Sequence, residues 1–350
     1  MTTATVPVLA GDEGLHAPEN DPLWSESFYL NFSDSEGRLG GFTRMALHPS
    51  KHETEGLIGV YLSGGRVGII LLKDVLGQPD SATIRSGSLE HVCLRPLEQW
   101  RICYDGDLHV FDDVALIARA LEPNPPRMPT QRVQLDIEVT GLHPPFFYPN
   151  YRKVAAPPPH KPQAIGFARK LKRAMRRPGE IRQALRMRTS RHYEQSMSVR
   201  GSMVLDGRTE VFIGGGHRDH SWGLRDWSPS HRYRWLTCQM DGLAFNAMYL
   251  TIAGTHVTNG YVWRDGQCTP VDEVRLENSF DDTGLAGRDL YLELSSGGRK
   301  LLVTGKVFLN VPLPIVGPGF SAMLNIGRTR YQCGDKIGYG MAEFLERLYP

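Results

Sequence analysis

The sequence predicts an all-β protein built from antiparallel barrels or sandwiches. Short segments of alternating or β-branched character recur along most of the 350 residues, and turn-forming dipeptides separate them. No stretch alternates a strand with a long helix, which disfavours a doubly wound α/β fold. The 37 glycines and 24 prolines are typical of a chain that turns often.

The predicted strands are short and follow one another along both halves of the chain. They cover residues 56–62, 66–72, 90–94, 101–104, 132–139, 196–205, 210–213, 233–240, 245–252, 256–263, 290–294 and 300–308. Asp-Gly or Asn-Gly pairs at 105–106, 206–207, 241–242, 259–260 and 265–266 predict tight hairpins, because both residue types tolerate positive φ. A short helix over 340–348 is predicted to close the chain.

Composition excludes several classes of protein. The 40 lysines and arginines nearly balance the 38 acidic residues, so no overall field favours nucleic acid. The longest apolar run, 67–72, is far shorter than the ~20 residues of a membrane helix. The N-terminus lacks the basic and apolar regions of a signal peptide. Five cysteines without C-x-x-C spacing are expected to be reduced thiols of a cytoplasmic protein.

A change of composition in the middle of the chain predicts its domain organisation. We expect a flexible N-terminus (1–22), an N-terminal β domain (23–155), a Pro-rich linker with a basic helical segment (156–191) and a C-terminal β domain (192–350). The segment 169–191 is rich in lysine and arginine. It is typical of a solvated linker, and it also suits peripheral contact with an anionic membrane, whereas a basic patch alone is weak evidence for nucleic acid, which is not an expected partner.

The densest cluster of functional residue types lies between Gly214 and Trp227, where three glycines precede two histidines, two aspartates, two arginines and two tryptophans. The glycines do not lead into a helix, so a phosphate loop is disfavoured. Two interpretations stay open, a structural β-bulge fixed by Arg–Asp pairs and an apolar pocket with a few converging polar groups. In an extended segment Arg218, His220 and Trp222 share one face, and residues 217, 219 and 221 share the other. No metal site is expected, since His217 and His220 then point in opposite directions.

The run from His217 to Gly223 resembles the Asp-His-x-Trp-Gly signature of the AttH-like and carotenoid 1,2-hydratase superfamily. The resemblance covers about residues 195–346, and it implies two tandem lipocalin-like β-barrels and chemistry without an organic cofactor. It implies that His220 and Trp222 line a pocket in the C-terminal barrel. The hydratases of this family also use a pocket aspartate as an acid, and the candidates here are Asp219, Asp226 and Asp241.

Hydration of an alkene, or cyclisation of a polyene, begins with delivery of a proton to carbon. A carboxylic acid stays protonated at neutral pH only where burial raises its pKa. The cation that forms is stabilised by the faces of aromatic rings. A neutral His220 is the candidate base, Glu343 is a further acidic candidate, and the candidate substrate-binding residues are Arg218, Trp222, Trp227, Tyr233, Trp235 and Tyr249.

Two functions follow from these observations. The first is an acid–base lyase or isomerase (a hydratase, dehydratase or cyclase) acting on a hydrophobic isoprenoid, steroid or polyketide. The second is a non-catalytic carrier of a hydrophobic small molecule, because a lipocalin-like barrel serves either role. An ionisable side chain held in an apolar site distinguishes them. The sequence does not determine the oligomeric state.

Overall fold

The computed structural model describes residues 7–77, 80, 82–120, 127–148, 152–154, 190–225, 230–252, 255–317 and 320–348. Nearly all of the predicted linker, including residues 169–189 of the basic segment, lies outside these ranges. Within them the chain is almost entirely β-structure. The predicted all-β class is therefore confirmed.

Eight antiparallel strands close the first barrel in the order β1-β2-β3-β4-β7-β8-β11-β12, with β12 returning to β1. A β5–β6 hairpin extends from β7, and β9 pairs with β11. The strands of this sheet are β1 (Trp24–Asp34), β2 (Gly40–His48), β3 (Glu53–Tyr61), β4 (Val67–Val75), β5 (Thr83–Ser86), β6 (Leu89–Arg95), β7 (Gln99–Phe111), β8 (Thr130–Gly141), β9 (Phe146–Phe147), β11 (Arg191–Leu205) and β12 (Arg208–Leu224).

The second barrel is an up-and-down meander in which each strand pairs with the next and β20 returns to β13. A short strand, β10, pairs with the outer edge of β15. The strands are β10 (Arg152–Val154), β13 (Ser230–Met240), β14 (Leu243–Ile252), β15 (Thr255–Arg264), β16 (Gln267–Phe280), β17 (Gly287–Ser296), β18 (Arg299–Gly317), β19 (Phe320–Cys333) and β20 (Lys336–Arg347).

The helices are short. Single 3₁₀ turns cover Ala10–Glu13, Pro49–Lys51, Ser63–Gly65 and Val114–Leu116, and α1 covers Ile117–Ala120. None of the helices in the described part of the chain has the length and apolar character needed to cross a membrane.

The prediction of a terminal helix was wrong, because 336–347 form β20. That strand pairs with β13 on one side and β19 on the other. Its alternate residues Ala342 and Phe344 fill the second barrel, while Met341 and Glu343 face the first. Pairing on both edges outweighs the weak helical preference of this segment.

Three of the five predicted hairpin turns are confirmed. Asp206–Gly207 and Asp265–Gly266 hold positive φ at both residues, and 241–242 joins β13 to β14. The prediction was wrong for 105–106 and 259–260, which lie inside β7 and β15. The pairing of β7 with β8 and of β15 with β14 continues through the glycine, so the chain does not turn there.

The sheets divide the chain at a different point from the predicted boundary at 192. β11 and β12 lie beyond that boundary, yet they complete the first barrel through pairing with β8 and β1. The change of sheet therefore falls between β12 and β13. As a result, the motif on β12 belongs to the first barrel.

Each barrel contains its own apolar core, and a third cluster joins the two. The first core includes Met45, Ile58 and Val133, and the second includes Leu236, Phe245 and Leu292, all of them buried. The cluster between the barrels packs Phe42 and Tyr61 of the first against Trp235, Tyr261 and Met341 of the second. β1 and β12 thus carry one face into a barrel interior and the other into this contact.

Candidate active site

Alternate side chains of β12 point into the interior of the first barrel and toward the second barrel. Arg218, His220 and Trp222 point inward and are buried. His217 and Asp219 point outward to the second barrel. The predicted alternation is therefore confirmed. The expectation that His220 and Trp222 line the C-terminal barrel was wrong, because β12 pairs with β1 and not with a strand of that barrel.

The inward face of β12 carries a buried network of charges. His220 Nε2 lies 2.8 Å from Glu26 Oε1, and its Nδ1 lies 3.2 Å from the Tyr193 hydroxyl. Arg218 donates to both oxygens of Glu13, at 2.6 and 3.0 Å. Burial by itself would raise the pKa of Glu13, but the Arg218 charge helps to outweigh it and holds that pKa below its ordinary value. Burial lowers the pKa of His220, which Glu26 opposes.

Residues from the N-terminal segment complete this network. The His16 ring stacks on Trp222 with centroids 3.9 Å apart, and its Nδ1 lies 2.7 Å from Glu26 Oε1. The ring nitrogen and carboxylate oxygen atoms of His16, Glu26 and His220 all lie within 4.8 Å of one another. This network is anchored by mutual hydrogen bonds.

On the outward face, Glu194 is the fixed negative charge. It lies opposite Asp219 in the β11–β12 ladder. His217 Nε2 lies 2.7 Å from Glu194 Oε2, and Trp235 of the second barrel donates to Oε1 at 2.8 Å. Burial by itself would raise the pKa of Glu194, but hydrogen bonds from His192 and His217 outweigh it and lower the pKa to about 2. Glu194 is therefore ionised throughout the physiological range.

Next to Glu194 lies Glu343, a second carboxyl group, whose pKa is shifted in the opposite direction. Glu343 on β20 is paired with Trp235 in the ladder and is buried against the first barrel. Burial raises the pKa of Glu343 to about 8, the charges of Asp219 and Glu194 act in the same direction, and the neighbouring Tyr29 hydroxyl opposes them. Glu343 is thus mainly protonated at neutral pH.

Asp219 and two tyrosines form the remainder of this outward cluster. Tyr29 lies opposite Asp219 in the β1–β12 ladder, and its buried hydroxyl makes no well-formed hydrogen bond within the described residues. Burial also raises the pKa of Asp219. Asp219 nonetheless keeps 21% of its side-chain surface exposed, and Tyr29 and Tyr233 are only partly covered. The cluster of Tyr29, Asp219, Tyr233, Trp235 and Glu343, called here the inter-barrel cluster, therefore borders accessible space.

The inter-barrel cluster has the parts that proton transfer to carbon requires. Glu343 is a buried carboxyl group with a raised pKa, and Asp219 is a second carboxyl group across the contact. Tyr29 and Trp235 present aromatic surface at a right angle to each other, with centroids 5.6 Å apart. Such faces stabilise a developing cation.

The chain matches the sequence profile of one protein family over nearly its whole length. The family is described as Domain of unknown function (DUF7064), and its profile matches residues 10–347. The chain belongs to the DUF7064 family. No curated protein is significantly similar to it in sequence.

Solved structures similar to this DUF7064 protein match it along nearly its whole length. An AttH protein (NE1406) from Nitrosomonas europaea is 12% identical with a TM-score of 0.53, and the match covers 97% of this chain and 99% of that one. CghA with Sch210972 is 14% identical, covers 95% and 94%, and has a TM-score of 0.52. Kievitone hydratase from Nectria haematococca is 10% identical, covers 99% and 94%, and has a TM-score of 0.54. The resemblance to the AttH-like fold is therefore confirmed.

Other predicted site residues of this DUF7064 protein lie away from the inter-barrel cluster. Asp241 is exposed in the β13–β14 turn, where its backbone carbonyl oxygen accepts a hydrogen bond from Lys336 Nζ. Tyr249 is half-buried on β14, with its hydroxyl 2.9 Å from His256 Nδ1. Asp226 and Trp227 lie outside the described residues.

A groove of about 900 Å³ runs between the barrels beyond the inter-barrel cluster. Gly215 and Gln239 line it from the two facing strands, and Asp241 stands at its rim. A Cβ at Gly215 would meet the Gln239 side chain at 2.6 Å, so the absence of a side chain there permits the close approach of the barrels.

Sequence reasoning missed Glu13, His16, Glu26, Tyr29 and Glu194. Glu13, His16, Glu26 and Tyr29 lie about 190 to 206 residues before the motif residues that they join. No local pattern distinguishes them, because an alternating strand shows which side chains share a face but not what lies opposite. The polar residues of β1, Glu26 among them, are buried in the structure, and this burial is not visible in the sequence.

Proposed function

We propose that this DUF7064 protein is an acid–base lyase or isomerase that protonates a hydrophobic substrate of the isoprenoid, steroid or polyketide class without an organic cofactor. The reaction takes place at the inter-barrel cluster, and the class includes hydration, dehydration, isomerisation and cyclisation. The observation that carries the proposal is Glu343, a carboxyl group buried among aromatic side chains with its pKa raised to about 8. A carrier has no need to bury an acid in this way.

The proposed sequence of steps begins with Glu343. Its proton moves to one carbon of a double bond, and the positive charge that develops on the other carbon is stabilised by the faces of Tyr29 and Trp235. In hydration, water attacks that carbon and Asp219 takes a proton from the water. In isomerisation or cyclisation, Asp219 takes a proton from a neighbouring carbon. Exchange with solvent then returns a proton from Asp219 to Glu343.

Glu194 acts on this reaction from a distance. Its ionised carboxylate disfavours ionisation of Glu343 and Asp219, so that at least one of them holds a proton. His217 and Trp235 keep Glu194 in place through hydrogen bonds. His220, on the inner face of the sheet, is assigned no step.

The names of the similar proteins are consistent with this proposal. One is a hydratase, and another, CghA, was solved with Sch210972. At 10–14% identity these likenesses concern the fold, so the chemistry proposed here depends on the residues of this chain.

The alternative is a carrier that holds its ligand inside a barrel. The apolar side chains of both barrels are packed against one another, including Phe28, Trp100 and Val139 in the first and Phe245 and Phe344 in the second. A guest is therefore expected between the barrels rather than inside one.

Deuterium incorporation tests the proposal directly. The purified protein is incubated in D₂O with a polyprenyl alkene, an unsaturated ketosteroid and a prenylated phenol, and substrates and products are analysed by mass spectrometry. We expect incorporation at carbon with at least one substrate, and a rate lowered by about 10²–10⁴-fold in Glu343→Gln. Glu277→Gln, an exposed position on β16, is the matched control and is expected to keep the wild-type rate.

Two outcomes would contradict the proposal. One is incorporation at equal rates in wild type and Glu343→Gln. The other is tight binding of these compounds with no incorporation in the wild type, which supports the carrier.

A further inference from the structure

The end of the first barrel holds a group of three potential metal ligands that the proposed reaction does not use. His16 follows the 3₁₀ turn of the N-terminal segment, Glu26 lies on β1 and His220 lies on β12. Glu26 pairs with Trp222 in the ladder, so its nearest inward diagonal neighbour on β12 is His220. The N-terminal segment crosses this end and brings His16 to the same point.

Two ring nitrogens converge on a single carboxylate oxygen. His16 Nδ1 lies 2.7 Å and His220 Nε2 lies 2.8 Å from Glu26 Oε1. The three ligand atoms fall within 4.8 Å of one another. Two imidazoles and a carboxylate around one point form a ligand set that Zn²⁺ and Fe²⁺ accept, at about 2.0–2.2 Å for zinc.

The neighbours of His220 orient it as a ligand. The Tyr193 hydroxyl donates its one proton to Glu13 at 2.8 Å, which leaves its oxygen to accept from His220 Nδ1 at 3.2 Å. His220 Nε2 faces Glu26 Oε1 at 2.8 Å, so a cation that takes the place of the proton between these two atoms is bound by both of them. Arg218 in turn fixes Glu13. Outer hydrogen bonds of this kind are typical of metal-binding histidines.

The group has an open side. Glu26 and His220 are almost completely buried, whereas 22% of the His16 side chain is exposed. His16 also stacks on Trp222 at 3.9 Å, which holds its ring over the site. An ion can therefore enter beside His16 and keep a solvent molecule as a further ligand.

We propose that His16, Glu26 and His220 bind one divalent transition-metal ion, with Zn²⁺ as the probe, and that this ion fixes the N-terminal segment to the first barrel. The site lies on the inner face of β12, whereas Glu343 acts on the outer side. It is therefore independent of the proposed function.

Calorimetric titration of chelator-treated full-length protein with ZnCl₂ tests this site. We expect one ion per chain, and affinity lowered by more than about tenfold in His16→Asn. His52→Asn is the matched control, because His52 is exposed and has the positive φ that asparagine tolerates. Tyr193→Phe removes an orienting hydroxyl and is expected to weaken binding about tenfold.

A second measurement needs no variant. Zinc K-edge absorption of the wild-type complex is expected to show two imidazole ligands and one carboxylate. Failure of the wild type to bind one equivalent would overturn the proposal, as would equal affinity in His16→Asn and His52→Asn. A zinc spectrum with oxygen ligands alone would overturn it as well.

Discussion

Replacing Glu343 with glutamine should change how the stability of the protein depends on pH. Glutamine has the shape of the protonated carboxyl group but does not ionise. The pKa of Glu343 in the folded protein is about 8, against an ordinary value of 4.5. In the unfolded chain the carboxyl group therefore loses its proton at much lower pH. The stabilisation from the protonated group is complete below pH 4.5, and it is lost as the pH rises through about 8.

The size of the effect follows from the interval between the two pKa values. Each pKa unit corresponds to about 1.4 kcal/mol, so ionisation of Glu343 costs the folded wild type on the order of 5 kcal/mol at high pH. Between these two values the wild type should lose about 1.4 kcal/mol per pH unit from this group. Glu343→Gln should have nearly wild-type stability at low pH and exceed it increasingly above neutrality.

Urea unfolding measures the difference in stability between Glu343→Gln and wild type. It is monitored by tryptophan fluorescence and repeated at several pH values between about pH 5 and about pH 9. Glu277→Gln replaces an exposed carboxyl group and should run parallel to the wild type. If the curves of Glu343→Gln and wild type are also parallel, Glu343 titrates as an ordinary carboxyl group. The proposed proton donor would then be refuted, whatever the cause of any activity.

Three further outcomes are expected. Arg218→Met leaves Glu13 buried without its partner and should lower the free energy of unfolding by about 3–5 kcal/mol. The control, Arg101→Met, breaks an exposed ion pair and should lower that free energy by no more than about 1 kcal/mol. Equal losses of the two variants in urea unfolding would contradict the assignment of a buried network. Gly214→Ala places a Cβ against the Ser33 carbonyl oxygen in the neighbouring strand, and the β1–β12 contact should lose about 1–3 kcal/mol, visible as a lower Tm. An unchanged Tm would show that the two strands separate at little cost. Any activity found should fall as the pH is raised through about 8, because the active form of Glu343 is the protonated one; a rate that rises over that range would contradict its role as the acid.

Much of the secondary structure could be predicted from local patterns. Alternation along β12 correctly placed Arg218, His220 and Trp222 on one face, since the side-chain period of a strand is fixed by its backbone. Turn chemistry correctly located Asp206–Gly207 and Asp265–Gly266. The motif on β12 also indicated the fold, which the similar structures confirm.

The same patterns failed where pairing between strands decides the structure. The predicted boundary separated β11 and β12 from the barrel they complete, because nothing local records that β12 pairs with a strand nearly 200 residues earlier. The terminal strand was predicted as a helix for a related reason. Its conformation depends on pairing with β13 and β19, which propensity does not describe.

The sequence by itself determined an all-β chain, the alternation along its strands and the residue types from which acid–base chemistry is built. The tertiary structure alone decided which of those residues meet. It placed His220 in a hydrogen-bonded network inside the first barrel and brought Glu343 from the last strand into the contact between the barrels. The physical reason is that a carboxyl group's pKa depends on its surroundings, and those surroundings come from strands far apart in the chain.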